Sequence, residues 1–219
     1  MSTFTPQTPA EARALDEHLR EYARTLQAPL LAHLSLERVF TVASASPERG
    51  RICSYCVEIQ IHVLFLQSDL ANIARARETL GMAGEAFATR ADLLRANSDF
   101  VLRYRALWDK LMGFIVLLTN PAEFQSFAEA KSRKKAFLGI VERKGNFPTP
   151  LAGRIGAVID RFDGQFRTAE AHGSGSARKL ASSDLDGWDS PQSDLFWAWN
   201  EMNTVLDLFG KLFSLPDPV

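Results

Sequence analysis

The chain has 219 residues, 46% of them hydrophobic and 23% charged, and a formal net charge of −1 at pH 7. This composition is ordinary for a globular protein whose core needs neither disulfides nor metals. A net charge this close to zero excludes an overall field that attracts nucleic acid, so any RNA binding must come from a local patch.

Residues 1–8 are predicted to form a flexible leader, and residues 9–219 a single helical domain. A first helical stretch is expected from Pro9 to Ser44, bent at Pro29, because proline removes a backbone donor. Ser46-Pro47 then predicts the start of a second helix. Its apolar residues alternate steps of four and three, which is typical of helices packed nearly parallel. They are Ile52, Cys56, Ile59, Val63, Leu66, Leu70 and Ile73.

Glycines 81 and 84 predict a break, and Ser98-Asp99 predicts the capped start of another helix. Its apolar residues have the same stepping: Phe100, Tyr104, Leu107, Leu111, Phe114 and Leu118. Asn120-Pro121 is expected to end this helix and to begin the next one, which runs to about Arg143. Proline and glycine in residues 144–150 predict a loop.

A further helix is expected from Leu151 into the segment between Arg167 and His172, where Gly173 and Gly175 interrupt it. Residues 182–193 are predicted to be a loop. The final helix again shows steps of four and three, at Leu195, Trp199, Met202, Leu206, Phe209 and Phe213. Because no stretch alternates with a period of two, the sequence predicts an all-α bundle of up-and-down helices with long antiparallel pairs.

The N-terminus has neither a basic start nor an apolar run, so it does not resemble a signal peptide. The longest apolar run, Leu111–Leu118, is much shorter than the roughly 20 residues that span a bilayer. Two cysteines in a chain of this length do not form a secreted disulfide framework. We therefore expect a cytoplasmic protein with no membrane partner.

Two pairs in the second helix resemble metal or redox motifs. Cys53 and Cys56 have the spacing of such a motif, but a structural zinc needs four ligands, and Cys56 falls on the apolar stripe. Glu58 and His62 are four residues apart, whereas di-iron bundles use Glu-x-x-His, which this chain lacks. We therefore expect core cysteines, a surface or capping role for Glu58 and His62, and neither a metal nor another cofactor.

A basic segment is a candidate RNA-contacting surface. Between residues 129 and 144 six cations face two acids, a local balance of +4, whereas residues 184–219 have a balance of −6. Such a segment is either a solvated helix face or a surface that follows phosphates. The candidate RNA contacts in it are Lys131, Arg133, Lys134 and Lys135, and a second group is Arg178 and Lys179.

Arg167 and His172 are the candidate catalytic pair. Imidazole exchanges a proton between about pH 5 and 8, and guanidinium is a permanent charge whose donors match phosphate oxygens. On a straight helix five steps of about 100° put the two side chains roughly 140° apart. They therefore meet only if the helix ends near His172, or if each meets its counterpart from a second subunit across a two-fold axis.

The string FRTAEAHGSGSARK, residues 166–179, resembles the Arg-x4-His motif of the HEPN superfamily, whose name abbreviates higher eukaryotes and prokaryotes nucleotide-binding. The stretch RYRALWDKLMGFI, residues 103–115, is similar to a helix that precedes the motif in such proteins. The resemblance implies a homodimeric helical bundle in which two Arg-His pairs face each other. Active members are metal-independent endoribonucleases, many of them in toxin–antitoxin or antiviral systems.

Carried onto this chain, the resemblance implies that Arg167 binds the scissile phosphate. His172 would act as general acid or base for attack by the ribose 2′-hydroxyl. Thr168 stands where active members often have Asn, Asp or His, and Glu170 places an acid inside the motif. Both departures keep two alternatives open: a catalytically inactive module that binds RNA, a nucleotide or a partner, and a purely structural bundle. A cognate antitoxin is a possible further partner.

Overall fold

The computed structural model describes residues 5–26, 35–83, 87–167 and 190–212. These ranges contain eight α-helices and no β-strand, which confirms the predicted all-α class. No helix in these ranges has an apolar stretch long enough to cross a membrane. The helices are α1 Pro9–Thr25, α2 Leu36–Val42, α3 Arg49–Ala83, α4 Phe87–Thr119, α5 Phe124–Glu129, α6 Arg133–Lys144, α7 Thr149–Phe162 and α8 Ser190–Leu212.

The N-terminal stretch forms two helices, so the single bent helix expected from Pro9 to Ser44 is wrong. Thr8 caps α1, its side chain accepting a hydrogen bond from the Glu11 amide at 3.2 Å. α2 begins separately at Leu36, because Ser35 accepts from the Arg38 amide. The expected bend at Pro29 lies outside the described residues.

Asp16 of α1 joins the two N-terminal helices. Its buried carboxylate accepts hydrogen bonds from the amides of Leu36 and Glu37, at 2.8 and 2.9 Å. Together with Ser35, Asp16 therefore satisfies three first-turn amides of α2, none of which has an acceptor within the helix.

The centre of the fold is an antiparallel hairpin of the two longest helices, α3 and α4. Glu58 of α3 pairs with Lys110 of α4, and Asp69 pairs with Arg103, so the two helices run in opposite directions. The predicted stripe on α3 is buried throughout, and so is the α4 stripe from Phe100 to Phe114.

α4 begins at Phe87, so the start predicted at Ser98-Asp99 is wrong. Leu93, Leu94 and Ala96 already pack into the core before that point, and this burial extends the helix through the polar residues. Asn97 donates its side-chain amide to the Leu93 carbonyl at 2.8 Å, within the helix. α3 likewise continues through Gly81 to Ala83.

The α4 end predicted at Asn120 is confirmed, since α4 ends at Thr119. The single helix expected from there to Arg143 is divided into a 3₁₀ turn, Pro121–Glu123, and the helices α5 and α6. Ala130 is extended, and Ser132 caps α6 with a side chain that accepts from the Lys135 amide at 3.5 Å. Gly145, with φ 67°, closes α6 in the left-handed conformation.

α7 and α8 complete the core against α4. The Phe162 ring of α7 lies 4.2 Å from the Tyr104 ring of α4, and the Tyr104 hydroxyl donates to the Ala198 carbonyl of α8 at 2.7 Å. α7 continues as a π-helical turn, Asp163–Arg167, so the expected helix does extend to Arg167. The final helix is confirmed, although it begins at Ser190, inside the predicted loop.

Asp69 is a nearly buried carboxylate whose environment predicts a pH-dependent stability. Burial raises its pKa to about 6, although the nearby Arg103 acts in the opposite direction. An unfolded Asp titrates near 3.9, so the folded protein binds this proton more tightly than the unfolded chain does. The charged carboxylate therefore destabilises the fold above about pH 6, and protonation removes that cost as the pH falls toward 4.

We expect Asp69→Asn to raise the free energy of unfolding by about 2 kcal/mol at pH 7.5. In urea titrations the gain shrinks between pH 7 and 4. The exposed Asp92→Asn, which breaks a surface pair with Arg95, is the matched control and should change stability by less than about 0.5 kcal/mol. A destabilised Asp69→Asn at pH 7.5, or a gain that is constant with pH, would contradict this assignment.

Candidate nucleic-acid interface

The structure describes only part of the predicted site. Arg167 is the last residue of the π-helical turn, and its backbone is described. Thr168, Glu170, His172, Arg178 and Lys179 lie outside the described residues. The convergence of Arg167 and His172 therefore stays a prediction.

The predicted RNA contacts Lys131, Arg133, Lys134 and Lys135 do lie together, at the start of α6. Ala130 and Ser132 form the break before α6, so the cations belong to the break and to the first helical turn. The first-turn amides of Arg133 and Lys134 have no acceptor within the helix, and they carry the positive end of its dipole. Side chains and backbone thus contribute the same sign of charge.

These cations border a cavity of about 460 Å³, which also contacts α4 and the π-helical turn. Besides the four cations, its wall contains Arg105, two carboxylates, Ser132 and Ala130. We refer to it as the basic cavity. Asp163, one of the carboxylates, is the first residue of the turn that ends at Arg167. The basic cavity therefore adjoins the backbone that leads into the predicted catalytic segment.

Arg105 is a largely buried cation of the basic cavity, with its side chain 13% exposed. Its Nη1 donates to the Asp109 carboxylate at 2.5 Å, and its Nε donates to Asp163 at 3.2 Å. The two acids hold the guanidinium in one orientation and connect α4 to the turn after α7. Arg105 is not among the site residues predicted from the sequence. Its spacing of four from Asp109 is that of an ordinary helix pair, and Asp163 is 58 residues away in the chain.

Lys134 forms an ion pair with another helix, whereas the lysines of a solvated helix face contact only water. Its ammonium pairs with Asp160 of α7, and its side chain is 18% exposed. Lys131 and Lys135, by contrast, are exposed at the rim of the cavity. The cavity thus has exposed charges at its rim and one charge, that of Lys134, fixed by an ion pair.

The other end of α6 is a separate cluster. Lys144 and Arg143 contact the Glu123 carboxylate at 3.0 and 3.6 Å. Hydrogen bonding from Lys144, followed by its charge, lowers the pKa of Glu123. One of the four excess positive charges in residues 129–144 is therefore offset by this acid, away from the basic cavity.

Cys53 and Cys56 are core residues, as predicted, with side chains that are 0% and 1% exposed. Burial raises the pKa of Cys53 to about 11. Burial also raises the pKa of Cys56 well above its usual range, and the charge of Asp16 adds to that effect. Such thiols are poor nucleophiles.

Glu58 and His62 do not form a joint site. Glu58 pairs with Lys110, which also stacks over the Tyr55 ring. Burial and the charge of Lys110 lower the pKa of half-buried His62. Among the described residues, no three His, Cys, Asp or Glu side chains are grouped closely enough to bind a metal ion.

The described wall of the basic cavity contains five cations, two carboxylates, a serine and one small apolar residue. Cations and hydroxyl groups bind phosphate oxygens. No described wall residue is a His, Cys or Tyr, so the titratable groups of the described wall are its two carboxylates and three lysines. Comparison with protein-family models, with curated proteins and with solved structures found no match to the chain.

Proposed function

We propose that the chain is a HEPN-like, metal-independent endoribonuclease that binds RNA along the basic cavity and cleaves it with Arg167 and His172. One observation carries the proposal: five cations border a cavity whose wall includes the first residue of the turn that ends at Arg167. A strand bound at this cavity lies beside Asp163, which is four residues before Arg167 in the chain.

In the proposed reaction the imidazole of His172 takes the proton of a ribose 2′-hydroxyl, and the oxygen attacks the adjacent phosphorus. Arg167 stabilises the charge that develops on the phosphoryl oxygens. The bond from phosphorus to the 5′ oxygen breaks, and that oxygen takes a proton from the imidazolium of a second copy. The products are a 2′,3′-cyclic phosphate and a 5′-hydroxyl, and the acting species is a homodimer.

The test is to incubate the purified protein with single-stranded RNA and with DNA of the same sequence, both in EDTA. We expect the RNA to be cleaved and the DNA to stay intact, because DNA lacks the attacking hydroxyl. The RNA fragments should end in cyclic phosphates, which mass spectrometry identifies. Cleavage of DNA, or RNA cleavage that appears only when magnesium is added, would contradict the proposed chemistry.

A second function is favoured by the composition of the wall, whose described residues include five cations that suit phosphate oxygens but no imidazole. In this alternative the chain is a catalytically inactive module that retains RNA or a nucleotide. Mobility shifts with RNA in the same reactions, without fragments, support it. A role in toxin–antitoxin or antiviral defence, with an antitoxin as partner, belongs to the first function.

A further inference from the structure

The size and charge of the basic cavity favour a chain end over the middle of a strand. Lys131 and Lys135 are exposed at the rim, Arg133 and Lys134 are partly buried, and Arg105 is 13% exposed. A terminal phosphate carries one sugar and therefore needs less room than an internal phosphate, which is flanked by a sugar on both sides.

The net charge of the cavity matches a terminal phosphate. The described wall has five cations and the carboxylates Asp109 and Asp163, and Asp160 neutralises Lys134, so two positive charges remain in excess among the described residues. A phosphate monoester carries close to two negative charges at neutral pH, because its second pKa is near 6. An internal diester carries one.

The wall does not favour recognition of a base. Among the described wall residues, Ala130 is the one apolar residue and none is aromatic. The described wall therefore offers no surface for base stacking, which supplies much of the affinity of single-strand binders. The donors are instead of the kind that coordinate oxyanions: the guanidinium of Arg105, the Ser132 hydroxyl and the first-turn amides of α6.

We propose that the basic cavity is a binding site for a 5′-phosphate, as carried by an RNA end or by a nucleoside monophosphate. This inference rests on the proposed binding of RNA and adds the group that is recognised. Lys131, Arg133 and Lys135 bind the phosphate, and Arg105 offsets the charge of the neighbouring Asp109 and Asp163. The downstream fragment of the proposed cleavage has a 5′-hydroxyl, so the site distinguishes a phosphorylated strand from that product.

The test compares two oligomers of 2′-O-methyl RNA that differ only in a 5′-phosphate or a 5′-hydroxyl. They bind without being cleaved, since the attacking hydroxyl is blocked. Titration calorimetry on the full chain, in EDTA and at one salt concentration, should give a dissociation constant about tenfold lower for the phosphorylated oligomer. Adenosine monophosphate should compete with it. Competition as strong as that of the oligomer indicates a free nucleotide, and weaker competition an RNA end.

The variant Lys131→Gln/Arg133→Gln removes two wall cations and should abolish the preference for the 5′-phosphate. The matched control, Arg75→Gln/Arg95→Gln, removes two exposed cations from the α3–α4 hairpin and should retain it. Arg105→Lys keeps the charge, loses the planar fork and should reduce the preference, with circular dichroism confirming the helical fold.

Binding of both oligomers with equal affinity, no competition by adenosine monophosphate, or equal losses in the variant and its control would overturn the assignment. This experiment does not test the cleavage proposal, because the 2′-O-methyl oligomers cannot be cleaved and measure binding alone. A preference for the 5′-phosphate in a protein that never cleaves RNA leaves this site standing. If the protein cleaves RNA but shows no preference for the 5′-phosphate, the proposed phosphate site is wrong and the cleavage proposal is unaffected.

Discussion

Replacing His172 with alanine is expected to lower the rate of RNA cleavage by about 10²–10⁴-fold, the usual contribution of a positioned acid or base. The loss should appear in kcat, because the imidazole acts on the proton of the 2′-hydroxyl and not on the bound phosphates. The rate is measured with single-stranded RNA in EDTA. Two imidazoles of opposite protonation state at a shared site also predict a bell-shaped pH profile for the native protein.

His18→Ala is the matched control, since this imidazole lies exposed on α1, outside the basic cavity. It should cleave RNA at the native rate. Affinity for 2′-O-methyl RNA should be unchanged in His172→Ala, because the cations of the cavity remain. A His172→Ala protein within about threefold of the native rate, or an equal loss in the control, would show that His172 does not transfer the proton.

Asp16→Ala is expected to destabilise the fold by about 3 kcal/mol. The change leaves the amides of Leu36 and Glu37 without the carboxylate that both now contact, at a place where Leu36 is buried. For a chain of this size the loss corresponds to a melting temperature lower by about 6–12 °C. Thermal unfolding followed by circular dichroism measures it.

Glu17→Ala removes a neighbouring carboxylate that is exposed, and it should shift the melting temperature by less than about 2 °C. Asp16→Asn keeps one acceptor oxygen and should fall between the two. If Asp16→Ala melts together with Glu17→Ala, the carboxylate does not hold α1 and α2 together.

Periodicity predicted the helices wherever packing decides which residues are buried. The stripe from Ile52 to Ile73 is one such case, because one face of α3 contacts α4 along its length. The predicted helix boundaries were wrong where a local capping signal competed with contacts from distant parts of the chain. Ser98-Asp99 has the chemistry of a cap, yet burial of Leu93 and Leu94 against the core extends the helix through it.

The candidate site shows the same division. Lys131 to Lys135 could be predicted as a group because they are adjacent in sequence, and one break before α6 brings them to one end of the helix. Arg105 could not, because its role depends on Asp163 and on the packing of α4 against the end of α7. The ion pair between Lys134 and Asp160 depends on tertiary structure in the same way.

Asp16, which connects α1 and α2, also affects the reactivity of the buried thiol of Cys56. Cys53 and Cys56 are sealed in the native state, and Asp16 lies near enough to Cys56 to affect its ionisation. Reagents that modify sulfur reach them only after a segment has opened. The rate at which such a reagent modifies Cys53 and Cys56 therefore measures how often this part of the native protein opens, and no added label is needed.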